Sequence, residues 1–138
     1  MNMTNIKAIK EIKSKYNFTE SVELLTKKAE SLSWKVFKIY DLQDKLKNFG
    51  VDVLSLKVIS LCNPEISASI ISKDYGRIYS ALMPCRISIY DLKNGDTFIS
   101  MINMPATLST DVKADISEAI NSAYNELCDI LEDMQLNS

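Results

Sequence analysis

The sequence predicts a single α+β domain over residues 1–138, with helices packed mainly on one side of a mixed β-sheet. Three observations predict it. Apolar residues recur at helical period in some stretches and alternate in others. The two kinds of stretch interleave in the order β-α-β-α-β-α-β-β-α. One Asn-Gly hairpin signal also sits among longer crossovers, and crossovers with a hairpin imply strands paired in both directions. The chain has 138 residues, 46% apolar and 25% charged, which is ordinary globular usage with enough length for one core.

The elements follow in chain order. Around residues 9–16, Ile12, Ser14, Tyr16 and Phe18 alternate like a strand, while Ile6, Ile9 and Ile12 fit a helix; the strand is favoured. Asn17 and Glu20 have capping-box spacing, and Val22, Leu25, Ala29 and Leu32 then form one face of an amphipathic helix. Trp34 to Tyr40 reads as a half-buried strand, with Trp34 and Val36 on one side and Lys35 and Lys38 on the other. Asp41 caps a short helix to about Asn48, and Gly50 turns the chain out of it.

Residues 51–62 are apolar on both faces, as in a central strand covered on both sides. Asn63-Pro64 stops that strand and starts a helix to about Ser72: Asn63 suits the cap, and Pro64 suits the first helical position. Lys73 to Tyr79 reads as a loop. A strand follows over Ala81–Asp91, its main part beginning near Cys85 because Pro84 lacks an N–H. Asn94-Gly95 returns the chain into Thr97–Ile102. After a capping pair at Ser109-Thr110, Val112, Ile116, Ile120, Ala123, Leu127, Ile130 and Met134 form the stripe of a helix over about 110–134.

Composition excludes several chemistries. The chain has no histidine, so histidine-based nucleophilic catalysis and histidine metal ligation are ruled out. With glycines only at 50, 76 and 95, neither phosphate-binding fingerprint can be written. Three separated cysteines make no disulfide framework and no four-thiolate zinc site; carboxylates could hold a metal, but no acidic cluster has EF-hand spacing, and no cofactor is expected. A net charge of −2, without a basic cluster, gives no reason to expect nucleic acid. The stretch Leu54–Leu61 is too short and too polar to span a membrane. The first residues carry no signal-peptide core and the cysteine usage suits a reducing cytoplasm, so the Asn17-Phe18-Thr19 sequon is read as chance.

Two segments stand out: Cys62-Asn63-Pro64 and Met83-Pro84-Cys85-Arg86. Cys62 precedes a helix N-terminus, where the helix dipole favours a thiolate. Cys85 lies on a strand beside Arg86, although alternation puts Arg86 on the opposite face. The functional reading is a thiol site for redox chemistry or ligand binding. The plainer reading is packing, since a buried cysteine is a small apolar side chain, and it carries more weight. Cys128 reads as packing, and Met83, Met101 and Met104 as flexible filler.

Val58-Ile59-Ser60-Leu61-Cys62-Asn63-Pro64, Ala81–Tyr90 with its Leu-Met-Pro-Cys-Arg element, and Gly95-Asp96-Thr97-Phe98-Ile99-Ser100 resemble the bacterial and archaeal family named domain of unknown function 302. The resemblance runs over about residues 18–105, with the last helix in the expected place. It implies a compact fold similar in outline to half of the TATA-box-binding protein, and a homodimer. It carries over no catalytic residue. A fold likeness of this kind implies nothing about DNA. The functional expectation is a homodimeric domain that binds a small ligand or a protein partner without catalysis. Its candidate site is Cys62, Asn63, Pro64, Met83, Pro84, Cys85 and Arg86. The alternative is a thiol redox protein in which Cys85 resolves an oxidised Cys62.

Overall fold

The computed structural model describes residues 8–108 and 111–137. Five strands form one sheet in the order β1-β5-β4-β3-β2: β1 (Ile9–Lys13), β2 (Lys35–Asp41), β3 (Leu56–Cys62), β4 (Cys85–Asp91) and β5 (Thr97–Ile102). The helices are α1 (Phe18–Ser31), α2 (Leu42–Lys47), α3 (Pro64–Ile71), α4 (Met104–Thr107) and α5 (Ala114–Met134). The α+β class and the strand reading for the first element hold. All four pairings are antiparallel, where the sequence suggested mixed directions. The reason is topological. β1 and β2 do run the same way, but α1 carries the chain between them across the whole sheet, so they occupy opposite edges and never pair.

Register places Ile59 opposite Ile87, Ile87 opposite Met101, and Ile89 opposite Ile99. Directly paired residues share a face, so these side chains form one apolar surface. Leu25 and Ala29 of α1 and Ile116, Ile120, Leu127 and Ile130 of α5 bury against it in a single core. Ile59, Leu61, Ile87, Ile89 and Ile99 are wholly buried; each contributes about 1.5–3 kcal/mol by leaving water. The opposite face, with Arg86, Ser88 and Tyr90 of β4 and Phe98, Ser100 and Ile102 of β5, carries no helix and stays partly exposed. On β3 the helices cover one face, where the sequence suggested two; on the other face Ser60 is nonetheless buried, its hydroxyl donating to the Lys38 carbonyl, while Leu56 and Val58 are half-buried. The apolar run before it, residues 51–55, lies outside the strand, and Val51, Val53 and Leu54 are exposed.

Local chemistry sets the boundaries. Asn17, Asp41, Asn63 and Asn103 each accept a backbone N–H from the residue three positions on, which caps α1, α2, α3 and α4. The Ser109-Thr110 capping pair lies outside the described residues; α5 starts after Lys113, which makes no side-chain cap bond. Gly50 and Gly95 take the left-handed conformations that their turns need, at φ +77° and +92°. Lys35 and Lys38 share a face although three residues apart, because a bulge between Val36 and Lys38 adds one residue, Phe37, which is exposed. The segment expected as a loop after α3 is a 3-10 helix over Asp74–Leu82, and the following Met83–Pro84 bond is cis. Among the described residues, no helix is long and apolar enough to cross a membrane.

Candidate functional site

β3 and β4 end side by side where both cysteine motifs lie. Leu61 is the register partner of Cys85, so Cys62 sits one residue beyond the strand that carries Cys85. The chain leaves β3 through Asn63, whose side-chain oxygen accepts the Ile66 N–H at 3.2 Å and starts α3. It re-enters β4 from the 3-10 helix. That helix lies against α3 so closely that a Cβ on Gly76 would stand 2.0 Å from the Ile70 carbonyl oxygen. These constraints hold α3 and the 3-10 helix over the strand ends and leave a cavity between them.

The cavity has about 30 Å³ of free space, enough for about two water molecules. Its wall is apolar: Trp34, Leu61, Ile66, Ile70, Leu82 and Ile120 contribute, and sulfur comes from Cys62, Cys85, Met83 and Met104. Cys62 Sγ lies 3.0 Å from Ser67 Oγ, and Cys85 Sγ hydrogen-bonds Met104 Sδ at 3.9 Å. Both thiols are free and partly buried. Burial, with a smaller contribution from Cys62 nearby, pushes the Cys85 thiol up to about 11. Such a thiol is almost wholly protonated at neutral pH.

The sequence-derived candidates divide accordingly. Cys62, Asn63, Met83 and Cys85 line the cavity, and Pro64 does not. Pro84 and Arg86 border a separate depression beside it, with Cys85, Met101 and Met104. Arg86 is exposed, and its register partner is Ser60 on the uncovered face. It gives Cys85 no charge partner.

Three contributors escaped the sequence reading. Met104, flexible filler by sequence, follows Asn103, whose cap places it at the start of α4 beside Cys85. Ser67 sits one turn into α3, where its hydroxyl meets Cys62. Glu126 falls outside the apolar stripe of α5, where a solvent-facing carboxylate is the ordinary expectation. Its Oε1 instead accepts the buried Trp34 indole N–H at 2.9 Å and the Asn63 side-chain amide at 3.4 Å. One carboxylate thus ties the start of β2, the β3–α3 junction and α5 together at the cavity rim. Glu126 directly precedes Leu127 of the apolar stripe, and that adjacency was the available signal.

A second cluster lies away from the cavity. Asp115 at the start of α5 accepts from Lys73 and, at 2.6 Å, from the Tyr75 hydroxyl. These bonds, Lys73 foremost, hold its carboxyl down at about 2. The cluster fastens the 3-10 helix to α5. Among the described residues, no group of three histidine, cysteine, aspartate or glutamate side chains is placed to hold a metal ion.

The chain matches no curated protein. Its fold is similar to a crystal structure of an uncharacterized conserved protein DUF302 from Bacillus stearothermophilus. The TM-score is 0.83 at 18% identity, over 94% of this chain and 100% of that one. At such identity the likeness speaks for the fold alone. The profile of the family described as domain of unknown function DUF302 matches residues 10–134 and so takes in β1 and α5 beyond the segments that carried the sequence resemblance. With nearly its whole length matched, the chain belongs to the DUF302 family.

Proposed function

We propose that this protein is a homodimeric, non-catalytic binding domain whose cavity at the ends of β3 and β4 receives a compact ligand. The observation that carries the reading is convergence: two motifs about twenty residues apart in sequence contribute to one small apolar space. The cavity's size favours a ligand of a few atoms. The partners of the two thiols, a serine hydroxyl and a thioether, are not bases at neutral pH, which favours binding over catalysis. For the dimer, the family resemblance and the uncovered sheet face provide support. That face carries a stacked Tyr90–Phe98 pair with ring centroids 6.3 Å apart, as well as Leu56 and Val58. A stable interface needs about 800 Å² per partner.

The test is native mass spectrometry of gently purified protein. A dimer carrying extra mass on each protomer, lost in Ser67→Leu, which fills the cavity, supports the reading. A bare monomer contradicts it. The second reading, a reversible Cys62–Cys85 disulfide, is favoured by the adjacent strand ends and disfavoured by the protonated Cys85 thiol. Alkylation-resistant loss of two thiols under mild oxidant would support it.

A further inference from the structure

The sulfur atoms suggest what the cavity takes. Cys62, Cys85, Met83 and Met104 come from β3, β4, the 3-10 helix exit and α4, and all four line the same space. Half the set is thioether, so four sulfurs converge here without a trio of histidine, cysteine or carboxylate side chains among the described residues. Thiolate with thioether is the donor set that selects monovalent copper, whereas zinc prefers four thiolate, imidazole or carboxylate ligands. The spacing agrees. With a metal–sulfur bond of about 2.3 Å, two sulfurs in a trigonal plane stand about 4 Å apart. Cys85 Sγ and Met104 Sδ are 3.9 Å apart. A thiol facing a thioether cannot make a disulfide with it, so redox pairing does not explain this contact. Ser67, against Cys62 Sγ at 3.0 Å, is placed as the outer partner that orients a ligating sulfur.

We infer that the cavity is a Cu(I) site, with Cys62 Sγ, Cys85 Sγ and Met104 Sδ as ligands and Met83 flanking them. The inference rests on the reading of the cavity as a binding site and names its occupant. Binding is ligand exchange without electron transfer: each ligating thiol gives its proton to solvent as its sulfur–copper bond forms.

The experiment is an anaerobic competition of the full chain against a chromophoric Cu(I) chelator, with alkylation of each cysteine read by mass spectrometry. One Cu(I) per chain is expected, protecting Cys62 and Cys85 but not Cys128. Removing an outer-shell partner weakens metal binding by about 10–100-fold, and loss of a ligand should weaken it at least as much. Ser67→Ala should therefore show that loss, and Cys85→Ser and Met104→Leu each at least as much. The protection pattern is read on the unmutated chain, so a variant that fails to fold leaves the test intact. Failure to compete with the chelator, protection centred on Cys128, or Zn(II) binding as tightly as Cu(I) would each overturn the inference. If copper fails while purified protein still retains another small ligand in the cavity, the copper assignment falls and the binding-domain reading stands. If nothing is bound, both fall.

Discussion

Replacing Glu126 with alanine tests whether the cavity rim is held by one carboxylate. In the native fold Trp34 is 1% exposed, and its indole N–H has the Glu126 carboxylate as acceptor at 2.9 Å. A hydrogen bond to a charged partner contributes about 1.5–3 kcal/mol, and a buried donor left without an acceptor costs about as much. Glu126 is only half-buried, so water can partly replace it, and the longer Asn63 contact adds little. Asn63 keeps its cap on Ile66 through a different atom. The expected loss is about 2 kcal/mol, or a fall in Tm of roughly 6–10 °C for a chain of this length. Glu126→Gln retains an acceptor oxygen and should lose less than half of that. Urea unfolding followed by the emission of Trp34, the single tryptophan, reads both stability and the indole's environment. A Trp34→Phe, Glu126→Ala double-mutant cycle, with unfolding followed by circular dichroism because Trp34→Phe removes the fluorophore, isolates the pair. Stability of Glu126→Ala within about 0.5 kcal/mol of the parent, a change typical of ordinary surface substitutions, would refute the reasoning.

Other outcomes follow from the same geometry. Gly76→Ala must push the Ile70 carbonyl or the 3-10 helix aside by about 1 Å and should cost about 3 kcal/mol, the upper part of the overpacking range; an unchanged urea midpoint would show that α3 and the 3-10 helix are loosely joined. Asp115 has a folded value of about 2 against an ordinary 3.8, so its contribution is present above 3.8 and lost as pH falls through about 2. Lys73, raised above 10.5 chiefly by the same bond, contributes below that value and loses its contribution as pH rises through its folded value. Asp115→Asn should flatten both limbs of the stability–pH profile, by a small amount since the cluster is exposed. Because the Cys85 thiol is pushed up to about 11, its alkylation at pH 8 should be slower than that of a free thiol by about a hundredfold and should keep rising with pH to about 11. A plateau near pH 9 would contradict that burial.

Much of this architecture could be read from the residues, because its signals are local. Asn63-Pro64 marks the end of a strand and the start of a helix whatever surrounds it, since one side chain caps and the other needs no N–H. The Asn94-Gly95 turn is equally self-contained. Strand direction was not legible: α1 can follow β1 into a parallel neighbour or cross to the far edge, and that choice depends on how the whole sheet packs. The 3-10 helix at Asp74–Leu82 was missed because its stability comes from outside it, through Gly76 against α3 and Lys73 and Tyr75 on Asp115. The site shows the same division. Cys62 and Cys85 drew attention as cysteines in unusual company, and the fold brings them to one cavity. Met104 and Glu126 belong there only because α4 and α5 close over the strand ends, a long-range contact no spacing encodes.

The central claim is that the cavity at the ends of β3 and β4 is a place where something small binds. Xenon occupies accessible apolar cavities, and Met83 and Met104 line this one while Met134 is buried at the far end of α5. The direct measurement is a methyl spectrum of the protein labelled with ¹³C at its methionine methyls, recorded under rising xenon pressure. The account predicts saturable shifts at Met83 and Met104 with Met134 unmoved. Unchanged Met83 and Met104 resonances, or a largest shift at Met134, would contradict it.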